Sequence, residues 1–391
     1  MDENLAWKIV YAAAIFSLLI LGIAYYLISP RDTAPVDQAD LTKAAEFQNT
    51  RLEGRKEGKK IWEFTAKNGW TEKNQAMTFL FDVSRGRIFS GGKLAVDDLS
   101  APRVKVHRSA EVVEAFGPLK AELDLGKFSS AEKKGRWTKM IADYIKYVPA
   151  EKKSEIDGRV TLTMKDGVIK AGHISVDHEK KIARIFEAVK VKRANGTIMT
   201  GALNYLAESE QADVPGPLTL ALKEKAVRTD LKCNRGTFFM DINKDIALFG
   251  SVEVIQGKKV AIADEGIYSR RLGSLLLKGR TRTVLEKGGV LLKQGSAAKL
   301  RDPDVKEILR NKTVVTANEI SFSTKTGDAR AAGEVVVTQK GRDAKSDLAV
   351  YDDKKEILTL SGNVFMKQKD EWLNCRQVII SVSKETFEAK G

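Results

Sequence analysis

Tyr351-Asp352-Asp353-Lys354-Lys355-Glu356-Ile357-Leu358-Thr359-Leu360-Ser361-Gly362-Asn363-Val364-Phe365-Met366 is one unit of a repeat, and the repeat decides the fold. An aromatic or β-branched residue is followed by a polar turn, and then by Gly eleven positions on. Phe81 to Gly92, Tyr147 to Gly158, Tyr205 to Gly216, Phe239 to Gly250, Tyr268 to Gly279 and Phe322 to Gly333 keep the same spacing, and Ile380 precedes Gly391 by it. The second and fourth residues after the Gly are aliphatic: Leu94 and Val96, Val160 and Leu162, Val252 and Val254, Val335 and Val337, Val364 and Met366. Glu187 replaces the Gly ahead of Val189 and Val191. The anchors at 158, 187, 216, 250, 279, 333, 362 and 391 lie 29, 29, 34, 29, 54, 29 and 29 residues apart.

Each unit reads as a long β-hairpin. Val252-Glu253-Val254 and Val189-Lys190-Val191 alternate with the period of a half-buried strand. Asp166-Gly167 and Asn195-Gly196 suit tight turns that need positive φ. Asp352-Asp353-Lys354 and Asp177-His178-Glu179 supply the turns at the other end. A Gly in mid-strand weakens a flat strand and marks a bend. The predicted fold is therefore all-β, an extended antiparallel array of hairpins bent so that two facing layers turn their aliphatic residues inward. At ~4.8 Å per strand, about ten such hairpins extend on the order of 90–100 Å.

Two places interrupt the pattern. Between Gly279 and Gly333, Asp302-Pro303-Asp304 followed by Val305, Ile308 and Leu309 predicts a short helix. Thr281 and Thr283 take the place of the aliphatic pair just before it. Trp137, Met140, Ile141 and Tyr144 have helical spacing, whereas 142–147 alternates; strand from Met140 onward is expected.

The N-terminus departs from the rest. No charge occurs from Ile9 to Pro30, and about 20 apolar residues span a bilayer. No small-x-small cleavage site follows, so Ile9–Ile28 reads as an uncleaved transmembrane anchor; a buried core helix is the alternative. Ala13 and Ser17, four apart, offer a face for close helix packing. Pro30 and Pro35 open a polar linker.

The composition narrows function. The 391 residues carry 66 Lys+Arg against 52 Asp+Glu, a net charge of +14, and 43% are hydrophobic. That is enough apolar material for a sizeable core. Cys233 and Cys375 lie in different units and are expected as free thiols. His107, His173 and His178 do not cluster into a metal site. Gly86 to Lys93 has the wrong spacing for a phosphate loop, and Leu94 stands where Ser or Thr is needed. No Gly-x-Ser-x-Gly elbow is present, and Asp352-Asp353 falls in a turn. No enzyme, cofactor or metal is expected. Arg55-Lys56-Glu57, Lys59-Lys60 and Glu132-Lys133-Lys134 read as solvated faces, or as a basic rim for phosphorylated sugar headgroups. No helix-turn-helix or aromatic-basic module points to nucleic acid.

The anchor and linker, followed by Glu53-Gly54, Gly58, Trp62-Glu63-Phe64 and Ala66, resemble the start of the LptC family, the single-span component of lipopolysaccharide export. The region from Ala329 to Gly391, with Gly333-Glu334-Val335-Val336-Val337 and Leu360-Ser361-Gly362-Asn363-Val364, is similar to the LptA/OstA periplasmic bridge proteins. The resemblance runs from about Leu52 to the C-terminus, in a chain longer than the family's common form. It implies an extended antiparallel bent β-jellyroll whose open apolar groove carries the acyl chains of lipopolysaccharide or a related glycolipid. It also implies a single-pass inner-membrane protein with a cytoplasmic N-terminus and a periplasmic C-terminal domain. Its partners would be an ABC transporter (permease pair and ATPase) and a periplasmic bridge protein or outer-membrane translocon.

On this reading 1–8 is a short cytoplasmic N-terminus, 9–28 the anchor, 29–50 a linker and 51–126 the LptC-like start. OstA-like repeats follow over 127–283, an insertion with a short helix over 284–317, and further repeats over 318–391. The candidate groove residues are Leu94, Val96, Val160, Leu162, Val189, Val191, Val252, Val254, Val335, Val337, Val364 and Met366. Unpaired edges that take a partner's strand are placed at Trp62 and Phe64 and at Gln377, Ile379 and Phe387. The same aliphatics would also fill a closed core, which leaves a passive envelope scaffold as the alternative.

Overall fold

The computed structural model describes residues 43–107, 111–124, 137–164, 167–194, 196–224, 227–239, 241, 243–286, 300–381 and 383–391. The expected anchor, with Ala13 and Ser17, lies outside them. Among the described residues no helix is long and apolar enough to cross a membrane.

The first strands are β1 (Lys43–Lys56), β2 (Lys59–Glu72), β3 (Met77–Ser90), β4 (Lys93–His107), β5 (Val112–Asp124) and β6 (Trp137–Val148). Next come β7 (Lys153–Met164), β8 (Gly167–Asp177), β9 (Ile182–Arg193), β10 (Gly196–Leu206), β11 (Gln211–Val214) and β12 (Leu218–Glu224). β13 (Val227–Cys233), β14 (Arg235–Phe239), β15 (Ile246–Gln256), β16 (Lys259–Ser269) and β17 (Ser274–Leu285) lead to helix α1 (Pro303–Arg310). The chain ends in β18 (Thr313–Ser323), β19 (Ala329–Gln339), β20 (Arg342–Asp352), β21 (Ile357–Gln368), β22 (Glu371–Ser381) and β23 (Thr386–Lys390).

All belong to one antiparallel meander in which each strand pairs with the next. The exception is local. β11 and β12 lie end to end beside β10, and β13 and β14 lie end to end beside β15. Pro215 and Pro217 separate β11 from β12, because proline offers the ladder no N–H. At Asn234 the ladder bifurcates, the amide donating to the carbonyls of both Phe249 (3.2 Å) and Gly250 (3.0 Å). At ~4.8 Å per strand the array extends on the order of 100 Å along the sheet.

The bend has a repeated cause. At Gly158, Gly250, Gly279, Gly333 and Gly362, the Gly and the residue after it both have positive φ. There two residues oppose one on the following strand: Asp157 pairs with His173 and Val160 with Ala171, leaving Gly158-Arg159 against Gly172. The same count recurs at the other four. Such a bulge bends its strand. Glycine adopts positive φ without steric cost, which is why it recurs. Glu187-Ala188 makes the same bulge without glycine.

Three of the sequence anchors have another role. Gly92 lies in the β3–β4 turn at φ 80°, Gly216 lies between the two prolines, and Gly391 follows the last strand. A turn and a bulge both favour glycine, so spacing alone did not separate them.

Alternation on either side of the bulge fills the interior. On β15, Ile246, Leu248, Val252 and Val254 are buried while Ala247, Phe249 and Glu253 are not. β6 is strand throughout, burying Met140, Ala142, Ile145 and Tyr147. One apolar cluster runs from Trp62 to Leu277, and a smaller one from Ala317 to Val378.

Candidate functional site

The bend brings opposite ends of the strands together along a seam. The Lys56 ammonium, at the end of β1, lies 2.9 Å from Glu111 just before β5. Tyr147, near the end of β6, donates to the carbonyl of Phe89 on β3 at 2.9 Å. Lys259, at the start of β16, is acted on by the charge of Asp353 in the β20–β21 turn. In each case a strand end meets one that lies several strands further along, the stagger expected of a sheet curling towards closure.

This stagger decides where the interior is covered. Among the described residues, strands in the middle of the array have later strands to face, whereas the last ones do not. Val96, Val160, Leu162, Val189, Val191, Val252, Val254, Val335 and Val364 are all buried, at most 8% exposed. Val337 and Met366 are only half-buried, as is Leu373, and all three pack on the second cluster. Four of the nine fully buried residues of that cluster are alanines: Ala317, Ala331, Ala344 and Ala349. Small side chains therefore line the interior where it opens.

Leu94 stands elsewhere, in the wall of a seam cavity of about 480 Å³. Leu94, Ala95, Val176, Ile182 and Ala183 form its apolar wall, with Lys93, Asp124, Lys181 and Glu210 among the polar groups around it. His178 also borders it. Burial pushes this imidazole down to about 4, so it is neutral near pH 7. Its Nε2 lies 2.7 Å from Ser154 Oγ, and its edge meets the Tyr147 ring.

Thr281 and Thr283 have a partial account. Thr281 Oγ1 donates to the Ala317 carbonyl at 2.5 Å, which allows a hydroxyl in the buried row. Thr283 Oγ1 is buried without a partner. His173 lies on the outer face, bonded to Asp157 and 3.0 Å from Glu155. Burial alone would depress it, but the two carboxylates raise it. Among the described residues no group of side chains could hold a metal. Both cysteines are free.

The edges differ from the sequence expectation. Trp62 and Phe64 lie on β2, stacked 5.2 Å apart and buried at 8% and 0%. β1 pairs along the whole of β2 and is itself the N-terminal edge among the described residues. At the other end, Gln377 and Ile379 pair with β23, which carries Phe387 at 52% exposure. β23 is short and covers only Gln377–Ser381, so that among the described residues the Glu371–Arg376 half of β22 is bare on that side. Trp372, 71% exposed, stands on this half. Its signal in the sequence is compositional: a tryptophan directly after the polar run Lys367-Gln368-Lys369-Asp370-Glu371.

Residues 237–386 match the family model described as LptA/(LptD N-terminal domain) LPS transport protein. The match runs from within β14 to the start of β23, less than half of the chain. No curated protein matches the sequence. Among solved structures, one similar chain is LptH of Pseudomonas aeruginosa, described as the LptA homologous periplasmic component of the conserved lipopolysaccharide transport device. The likeness is 16% in identity with a TM-score of 0.24, over 26% of this chain and 74% of that one. The matched family is one of transport proteins, which agrees with a non-enzymatic role. Through residues 237–386 the chain is related to the LptA/LptD-like periplasmic lipopolysaccharide-transport proteins.

Proposed function

We propose that this chain is a membrane-anchored periplasmic bridge component of lipopolysaccharide export. An LptC-like anchor at Ile9–Ile28 would hold it in the inner membrane, with the N-terminus cytoplasmic and the strands periplasmic. Acyl chains would bind between the two layers and pass from an ABC transporter (permease pair and ATPase) toward the outer membrane. The bare half of β22, with Gln377, Ile379 and Phe387 beside it, would take a strand of the next bridge protein or of the outer-membrane translocon.

One observation carries this reading: the interior opens along the last strands. There Val337, Met366 and Leu373 stay half-buried beside fully buried Val335 and Val364, inside the segment that matches the transport family. Hydrocarbon needs no directional partners, so an aliphatic wall suits it. Over β4–β17 the interior is packed, and a lipid would enter there only where the seam parts.

Photo-crosslinkers at Met366 and at outward-facing Lys367 test the reading during active export. Lipid captured from Met366 and not from Lys367 is the expected result. Equal capture from both, or none from either, would sink the conduit. A pair at Val252 and Glu253 asks whether the middle of the array takes part. The complete burial of Val160 and Val252 favours a second reading, the passive scaffold, under which neither pair captures lipid.

A further inference from the structure

The outer face of β5–β10 carries a stripe of lysines that the interior does not use. Lys120 on β5, Lys139 on β6, Lys170 on β8, and Lys190 and Lys192 on β9 are all exposed. Strand register sets them side by side. One row across the strands reads Lys120, Ile141, Thr161, Lys170, Lys190, Met199. The adjacent row reads Glu122, Lys139, Thr163, Val168, Lys192, Thr197. Lys170 and Lys190 stand directly opposite each other, where like charges destabilise a sheet.

None of the five makes an ion-pair contact with a described acid, and Glu122, opposite Lys139, is the one carboxylate in the two rows. Further along the same face the charges are matched, Lys232 with Glu253 at 3.2 Å and Arg228 with Asp230 at 2.9 Å. Apolar residues accompany the stripe. Ile141 is 48% exposed and Met199 50%, both in the first row. Folding gains little from either feature, so the face is free to take counter-charge and apolar cover from an external partner.

We propose that this face docks on an anionic lipid surface, with the lysines on headgroup phosphates, Ile141 between Lys120 and Lys170, and Met199 beyond Lys190. Strands spaced ~4.8 Å apart spread the cations over a face roughly 20 Å wide, which matches a plane of headgroups better than a single phosphate. A basic face with exposed apolar side chains is what a membrane interface rewards. Neither row contains an aromatic on which nucleic-acid bases could stack. The site lies outside the interior and is independent of lipid conduction.

Lysine acylation of the whole chain, read by peptide mass spectrometry, tests the proposal. One sample holds phosphatidylcholine vesicles, the other vesicles with about one-third phosphatidylglycerol. The neutral vesicles set the baseline for any attachment through the N-terminal stretch. Anionic vesicles should slow acylation of Lys170, Lys190 and Lys192 several-fold, with Lys367 unaffected and the protection lost in high salt. The triple variant Lys170→Gln, Lys190→Gln, Lys192→Gln should fold normally yet lose the protection at Lys120 and Lys139. Equal acylation with both vesicle types overturns the proposal. So does equal protection by soluble polyphosphate or an acidic protein without vesicles, which would assign the face to a soluble polyanion.

Discussion

Tyr147 donates a hydrogen bond to the carbonyl oxygen of Phe89, 2.9 Å away, and so joins two layers that no pairing between β3 and β6 connects. The ring is 1% exposed, and burial raises the phenol above its ordinary range. Tyr147→Phe keeps the ring and removes the donor. It should cost about 1–3 kcal/mol, since a carbonyl in the seam is left unpaired. Urea unfolding measures the loss, and hydrogen exchange should quicken in the β3–β4 hairpin. Unchanged stability would mean that the seam is held elsewhere.

The bulges make a prediction about pairs of residues. A Cβ on Gly362 would lie 2.5 Å from Asp347 Oδ2, and one on Gly279 would lie 2.8 Å from Asp264 Oδ2. At Glu187 the roles reverse: the bulge carries the side chain, and the residue fifteen earlier is Gly172, where a Cβ would come 2.8 Å from Glu187 Cβ. Gly172→Asp alone should therefore destabilise by about 1–3 kcal/mol through overpacking. Adding Glu187→Gly should recover most of that, because it restores the arrangement of Asp347 with Gly362. Additive losses in the double-mutant cycle would refute the exchange.

The histidines should respond to pH with opposite signs. His178 is depressed from 6.5 to about 4 by burial, so the fold favours its neutral form. Its contribution is complete above pH 6.5 and declines as pH falls from there toward about 4. The loss is on the order of 3 kcal/mol, and His178→Gln should flatten the acid limb of a stability–pH curve. His173 is raised, and its contribution is present below pH 6.5 and lost as pH rises through the raised value. His173→Gln should then weaken the protein on the acid side only. Matching profiles for the two variants would contradict these environments.

Charge substitution separates packed from open interior. Val252 is fully buried and Met366 half-buried. Val252→Asp should cost several kcal/mol and lower the melting temperature sharply, as an unpaired buried charge does. Met366→Asp should leave the fold nearly intact while abolishing lipid capture at the last strands. A stable Val252→Asp protein would show that water reaches the middle of the array.

Much of the local structure could be read in the chain. Asp302-Pro303 signals the start of α1, because proline at the first helical position lacks only an N–H that would go unused. The glycines at 158, 250, 279, 333 and 362 announce the bends, since positive φ is costly for other residues. Gly92 and Gly216 mimic them by spacing alone. Trp62 and Phe64 look like a beginning because the aromatic pattern starts there, yet β1 pairs with β2 through its backbone. Backbone pairing leaves little mark on side-chain composition.

The residues themselves determined what depends on neighbours in sequence: strand period, turn positions, the bend within each strand and the helix at Pro303–Arg310. Those follow from φ preferences and from alternation, which act over a few residues. Only the tertiary structure decided which strand ends meet. The stagger that brings Tyr147 to Phe89 and Lys56 to Glu111 is a sum of twist over several strands, and no single residue encodes it. The same stagger covers Val254 and leaves Met366 half-open, although each stands four residues after the bulge glycine of its unit. It also leaves Lys170 and Lys190 side by side on the outer face, because register aligns residues twenty apart in the chain that neither charge nor spacing had linked.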